Sequence, residues 1–85
     1  MDFTNKNVLI TGASRGIGRA SAIAFADKRA NVGIGYKSNK QEAETTLNVL
    51  SGDKHQLFQS DIADKKANKK LIADFVAEFG QIDVL

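Results

Sequence analysis

Short apolar segments alternate along this chain with longer stretches of helical periodicity. Val8-Leu9-Ile10 is the first apolar run. A strand covered on both faces reads as such an unbroken run, so a strand is predicted over Asn7 to Thr11. From Ile17 to about Arg29 the chain is alanine-rich and predicts a helix. Ala20, Ala24, Ala26 and Ala30 are small enough for close approach to a sheet, and Ile23 and Phe25 add bulk. Asn31 then serves as the helix C-terminal residue or the turn after it. Val32-Gly33-Ile34-Gly35-Tyr36 reads as a second strand, although two glycines lower its intrinsic preference. Ser38 with Gln41 three residues on forms a capping-box pattern. It predicts a helix from about Gln41 to Leu50, with Ala43, Leu47 and Leu50 on one face. Gln56 to Ser60, centred on Leu57 and Phe58, reads as a third strand. Asp64 is placed to cap a third helix over Lys65 to Phe79. There Leu71, Phe75 and Phe79 form one row and Ile72 and Val76 the neighbouring row. Gly80 stops it, and Ile82-Asp83-Val84-Leu85 opens a fourth strand.

The predicted order is β-α-β-α-β-α-β. Strands alternating with helices of this length imply an α/β fold with a parallel sheet. Three crossover units ending in a half-finished strand correspond to the first half of a doubly wound, Rossmann-type sheet, with strand order 3-2-1-4. Residues 1–85 are therefore expected to be the N-terminal half of a Rossmann-type domain, broken off inside strand four. A chain this short buries only about 60–65% of its unfolded surface. With so little of strand four to cover an edge, marginal stability or association through that edge is expected.

The turn between the first strand and the first helix carries the chemistry. It reads Thr11-Gly12-Ala13-Ser14-Arg15-Gly16-Ile17-Gly18. A helix start presents unpaired N–H groups and the positive end of the helix dipole, which attract an anion such as a pyrophosphate. Gly12 permits the sharp turn out of the strand. Gly16 lets the backbone approach phosphates, and Gly18 lets the helix pack tightly on the strand.

The spacing Gly-x3-Gly-x-Gly, with Thr11 before it and Ala13-Ser14-Arg15 inside it, resembles the cofactor loop of the short-chain dehydrogenase/reductase family. Ser60-Asp61-Ile62 is similar to that family's acidic turn after strand three, where the carboxylate meets the adenine amino group and the next backbone group meets the ring. Gly80 to Leu85 is similar to the run that leads into the family's Asn-Asn-Ala-Gly segment. That segment does not occur in these 85 residues, nor do the family's catalytic serine, tyrosine and lysine. Within the family the resemblance is to bacterial reductases of the 3-oxoacyl carrier-protein type. The resemblance implies hydride transfer between a nicotinamide cofactor and a carbonyl or alcohol substrate in a longer enzyme, commonly a homo-oligomer (tetramer or dimer). The 85-residue chain is expected to bind cofactor without turnover. The alternative is a non-catalytic dinucleotide-binding module or truncated product.

The cofactor choice has a physical argument. NAD-specific members of this fold carry an acidic residue near the end of strand two, for the ribose 2′-hydroxyl. Here that place holds Tyr36-Lys37-Ser38-Asn39, without a carboxylate. Lys37 and Arg15 supply cations that suit a 2′-phosphate, so NADP (NADPH) is expected over NAD. The expected cofactor set is Gly12, Ser14, Arg15, Gly16, Ile17 and Gly18 at the pyrophosphate, Tyr36, Lys37 and Ser38 at the ribose phosphate, and Asp61 and Ile62 at the adenine. Tyr36 and Lys40 have the family's Tyr-x3-Lys spacing but fall on a strand end and a helix start, so they need not share a face. No catalytic residue is assigned within the chain.

Composition narrows the remaining classes. The net charge is +2, and Lys65, Lys66, Lys69 and Lys70 share one helix side without interleaved aromatic residues. That reads as a solvated face, with no nucleic-acid partner expected. No apolar run approaches the ~20 residues of a membrane span, and the first residues lack a signal-peptide core, so a cytoplasmic protein without membrane association is expected. With no cysteine and one histidine, His55, no metal site is expected.

Overall fold

In the computed structural model, which describes residues 2–12, 16–61 and 63–84, β1 (Asn7–Thr11) lies parallel to β2 (Asn31–Tyr36), and β2 lies parallel to β3 (Gln56–Gln59). The register pairs Val8 with Val32 and Gly33 with Gln56. On the other side of β1, Val84 makes a single parallel bridge to Val8, and the Leu9 N–H donates to the Val84 oxygen at 3.0 Å. The order 3-2-1-4 is therefore present, with the fourth strand represented by that bridge. The helices α1 (Gly16–Asp27), α2 (Lys40–Val49) and α3 (Lys65–Phe79) alternate with the strands.

Side-chain alternation along each strand divides the core between two faces. Val8, Val32, Ile34 and Tyr36 pack with Ala22, Ala26 and Ala30 from α1 and the turn after it, and with Ala43 and Leu50 from α2 and its end. Leu9 and Phe58 point the other way and pack with Leu71 and Phe75 of α3. Of the alanines expected inside, Ala26 and Ala30 are buried but Ala20 and Ala24 are exposed, and Ala22 takes the inner face instead. Alanine at every second position from 20 to 26 leaves the helical phase undetermined by sequence. The larger Ile23 and Phe25, packed against the cluster, accompany the phase that is adopted.

Helix ends explain the other shifts from expectation. Arg29 adopts φ 75°, and the Arg29 N–H donates to the Ala26 oxygen at 2.9 Å while the Ala30 N–H donates to the Phe25 oxygen at 3.1 Å. This paired closure ends α1 through a left-handed residue. Asn31 is thereby released into β2, opposite Asn7, rather than ending the helix. Asn39, not Ser38, caps α2: its Oδ1 accepts from the Glu42 N–H at 3.1 Å. The cap thus falls one residue later than the Ser38–Gln41 spacing indicated, and asparagine is an equally good acceptor there. Asp64 caps α3 as expected, accepting from the Lys66 and Ala67 N–H groups, and Gly80 closes it at φ 94°.

Two contacts fix how α3 and the segment after it meet the sheet. Phe75, fully buried, lies over Gly33 of β2. A Cβ on residue 33 would overlap the ring, with Phe75 Cδ2 at 2.7 Å and a Phe58 ring carbon at 3.1 Å. Beyond α3, the buried Asn7 gathers the returning chain. Its Nδ2 donates to the Phe79 oxygen at 3.0 Å, its N–H donates to Asp83 Oδ2 at 2.8 Å, and its Oδ1 accepts from Asn31 at 2.9 Å. His55 completes the amino-terminal edge: its Nδ1 accepts from the Val32 N–H at 3.0 Å, standing in for a strand carbonyl just before β3 begins. Its Nε2 lies 2.6 Å from the Ser51 oxygen, which assigns the hydrogen to Nε2.

Gly33→Ala is expected to lower unfolding stability by about 1–3 kcal/mol, the usual cost of overpacking a filled core. Urea denaturation followed by circular dichroism measures it. Adding Phe75→Leu should return part of the loss, because the smaller side chain vacates the ring position. An unchanged midpoint for Gly33→Ala would refute the packing argument.

Candidate functional site

The carboxyl ends of the parallel strands meet at one edge of the sheet, where an open α/β fold binds its ligands. At the end of β1 the chain turns through Gly12 at φ 68°, and α1 begins at Gly16 with φ 65°. Both values lie in the left-handed region that side chains other than glycine rarely adopt. Among the described residues, none beyond the glycine's own neighbours comes within 4 Å of the place a Cβ would occupy at either position. So these glycines answer a conformational need rather than a close approach among the described residues, and a left-handed turn into a helix start is what a backbone cradle for phosphates requires. Ile17 in the first turn of α1 is 87% exposed, and Gly18 is half-buried. The first turn of α1 carries no acidic residue, which leaves its dipole available to an anion. Ser14, Arg15 and Ile62 of the expected set lie outside the described residues.

The second corner forms where β2 and β3 end. Tyr36 is buried in the cluster beneath α1 and α2, so its ring belongs to the core. Lys37 and Ser38 are exposed at the edge. Asp61 is half-buried: its Oδ1 accepts from the Ala63 N–H at 3.0 Å, and its Oδ2 lies 3.8 Å from Lys37 Nζ. The structure thus brings Lys37 and Asp61 together and turns Tyr36 away from them. Lys40 pairs with Glu44 at 3.8 Å on α2, consistent with Tyr36 and Lys40 not forming a working pair.

Arg19 was not signalled by the sequence pattern. From α1 its Nε donates to Thr46 Oγ1 at 2.8 Å, and its terminal nitrogen reaches the Glu42 oxygen at 3.1 Å and Glu42 Oε2 at 2.9 Å. Thr46 is fully buried. Glu42 and Thr46 are four apart and therefore share a face of α2, yet no local rule pairs that face with a residue more than twenty positions earlier. The contact joins α1, whose start is the candidate cradle, to the first turns of α2, whose cap Asn39 closes the Lys37-Ser38 corner.

Arg19→Met is expected to cost about 1–2 kcal/mol, since charge-assisted bonds to partly buried partners are lost. Lys40→Met, which removes an exposed pair four apart on one helix, should cost no more than about 0.5 kcal/mol. Thermal and urea denaturation of the two variants side by side tests the difference, and equal losses would contradict it.

The short chain dehydrogenase family model matches residues 6–85. Among curated proteins, the chain is 37% identical over 83 residues to a 3-oxoacyl-[acyl-carrier-protein] reductase of Staphylococcus epidermidis, covering 95% of this chain and 34% of that protein. It is 40% identical over 85 residues to a glucose 1-dehydrogenase of Gluconobacter oxydans, covering 98% and 32%. The resemblance to reductases of the 3-oxoacyl type is accordingly one of several of similar strength. Among solved structures, a short chain dehydrogenase of Burkholderia cenocepacia in complex with NADP is 30% identical, with TM-score 0.92, over 99% of this chain and 36% of that one. The chain spans about a third of the length of these curated relatives. Fold, glycine turn and family match agree, and the chain belongs to the short-chain dehydrogenase/reductase family.

Proposed function

We propose that this chain supplies the NADP-binding part of an oxidoreductase that moves a hydride between nicotinamide and a carbonyl or alcohol. The observation that carries the reading is the pair of left-handed glycines, Gly12 and Gly16, where a strand gives way to a helix. Backbone N–H groups there, with Ser14 and Arg15 between the glycines, would hold the pyrophosphate. Gly18 lets α1 approach β1. The adenosine would lie across the ends of β2 and β3, with Lys37 and Ser38 toward the ribose and Asp61 and Ile62 toward the adenine. The cofactor supplies the hydride chemistry, and the protein's share is orientation and electrostatics.

The preference for NADP rests on Lys37. Residues 37 to 39 follow β2 with one cation and no carboxylate, where NAD-specific relatives of this fold carry an acid. The NADP complex of the Burkholderia relative supports the same choice. The complete enzyme is proposed to be a cytoplasmic homo-oligomer, dimer or tetramer, whose catalytic serine, tyrosine and lysine and whose substrate contacts come from outside these 85 residues.

Titration of the chain with NADPH and NADH, followed by nicotinamide fluorescence, tests the reading. NADPH is expected to bind about tenfold more tightly, since a charge-assisted contact to phosphate is at stake. Lys37→Met should remove most of that difference. Equal affinities, or tighter NADH, would overturn the preference. Steady NADPH consumption with carbonyl substrates by the 85-residue chain would overturn the assignment of catalysis to residues outside it.

A further inference from the structure

Lys37 is held at two points, by the last residue of β3 and by the turn after it. Gln59 Nε2 donates to the Lys37 main-chain oxygen at 3.1 Å, and Asp61 Oδ2 stands 3.8 Å from Lys37 Nζ. Between them the Ser60 N–H donates to the Tyr36 oxygen at 2.8 Å, so the pairing of the two segments continues past the ends of the strands. Asp61 is itself oriented, because its Oδ1 is taken by the Ala63 N–H and its other oxygen is turned to the lysine. We propose that Asp61 sets how strongly this corner selects a 2′-phosphate, by competing with the phosphate for the Lys37 ammonium.

This rests on the reading that an adenine nucleotide binds at this edge. A carboxylate and a phosphate are rival acceptors for one ammonium. The Lys37 side chain is 72% exposed and that of Asp61 43% exposed, so the pair is loose enough to exchange. When the ammonium moves to a 2′-phosphate, Asp61 loses its partner. That penalty falls on the phosphorylated ligand alone. A free 2′-hydroxyl displaces nothing, so the Lys37–Asp61 pair is kept when the unphosphorylated ligand binds. Asp61 thus restrains the preference that Lys37 creates, and a single side chain tunes the ratio between the two nucleotides.

The test uses adenosine 2′,5′-bisphosphate and adenosine 5′-monophosphate as probes, titrated calorimetrically into the chain and its Asp61→Asn variant. The readout is the ratio of the two affinities, in which any loss of an adenine contact common to both probes cancels. Asp61→Asn is expected to shift the ratio about two- to fivefold toward the bisphosphate, the span of an exposed ion pair. The shift should shrink with added salt, as screening demands. In a Lys37→Met background the same substitution should leave the ratio unchanged. A ratio that stays constant or falls in Asp61→Asn overturns the proposal, and so does a shift that persists without Lys37, which would assign it to direct repulsion. Failure of the folded parent chain, checked by circular dichroism, to bind either probe overturns the nucleotide reading and this proposal together.

Discussion

Phe75 can pack against β2 at this place only because residue 33 has no side chain. That contact seats α3 on the face opposite α1 and α2, and the rest of the architecture follows from it. Phe58 and Phe79 lie beside the ring, with centroids 5.5 and 4.6 Å from it, so the aromatic cluster joins β3 to the C-terminal half of α3. With α3 held there, Gly80 turns the chain back at the free side of β1, and Val84 reaches Val8. β1 becomes an interior strand with neighbours on both sides. An interior first strand is what places a topological switch point, and hence a ligand crevice, at its carboxyl end.

The two edges of the sheet are built for different purposes. At the amino edge, polar side chains close main-chain groups that the short strands leave without partners. Asn7 receives Asn31 and reaches Phe79 and Asp83, and His55 takes the Val32 N–H. A buried polar group costs free energy unless it is bonded, and here each of these atoms has a partner. The carboxyl edge carries the opposite set of features: left-handed glycines, an exposed isoleucine at a helix start, and an exposed lysine paired only loosely. Side chains tie main-chain groups together at one end of the strands, while the other carries a helix start and charge.

How much of this could be read from sequence depended on whether the cause was local. The strands at Val8 and Leu57, the cap at Asp64 and the stop at Gly80 were legible, because neighbouring residues determine them. The glycine turn was legible for the same reason: its spacing and its strand-to-helix context lie within eight consecutive residues. The inward phase of α1 was not, since alanines at every second position serve either phase and only packing against the sheet selects Ala22 and Ala26. Glycine in the middle of β2 looked like a weakness, whereas its reason is a ring more than forty residues later in the chain. Tyr36 was placed at the ribose by its position at the end of the second strand; strand alternation puts its ring in the cluster with Val32 and Ile34. Lys37, one residue on, lies beyond the paired strand and keeps its side chain at the edge.

Arg19 makes the open edge a single unit. A cradle at the start of α1 and a corner at the start of α2 could shift relative to each other, because small alanines dominate the inner face of α1 and give it little shape to lock into place. The guanidinium supplies directional bonds where apolar packing supplies few. It holds both the carboxylate and the main-chain oxygen of Glu42, and the same residue's N–H is held by the cap Asn39. A displacement of α1 along the sheet would therefore strain the cap of α2 through two consecutive links. A ligand that spans the glycine turn and the Lys37 corner needs both at a fixed separation, and preorganised separation lowers the ordering cost of binding. The glycines and the lysine would make the contacts in such a site, while Arg19 holds the distance between them.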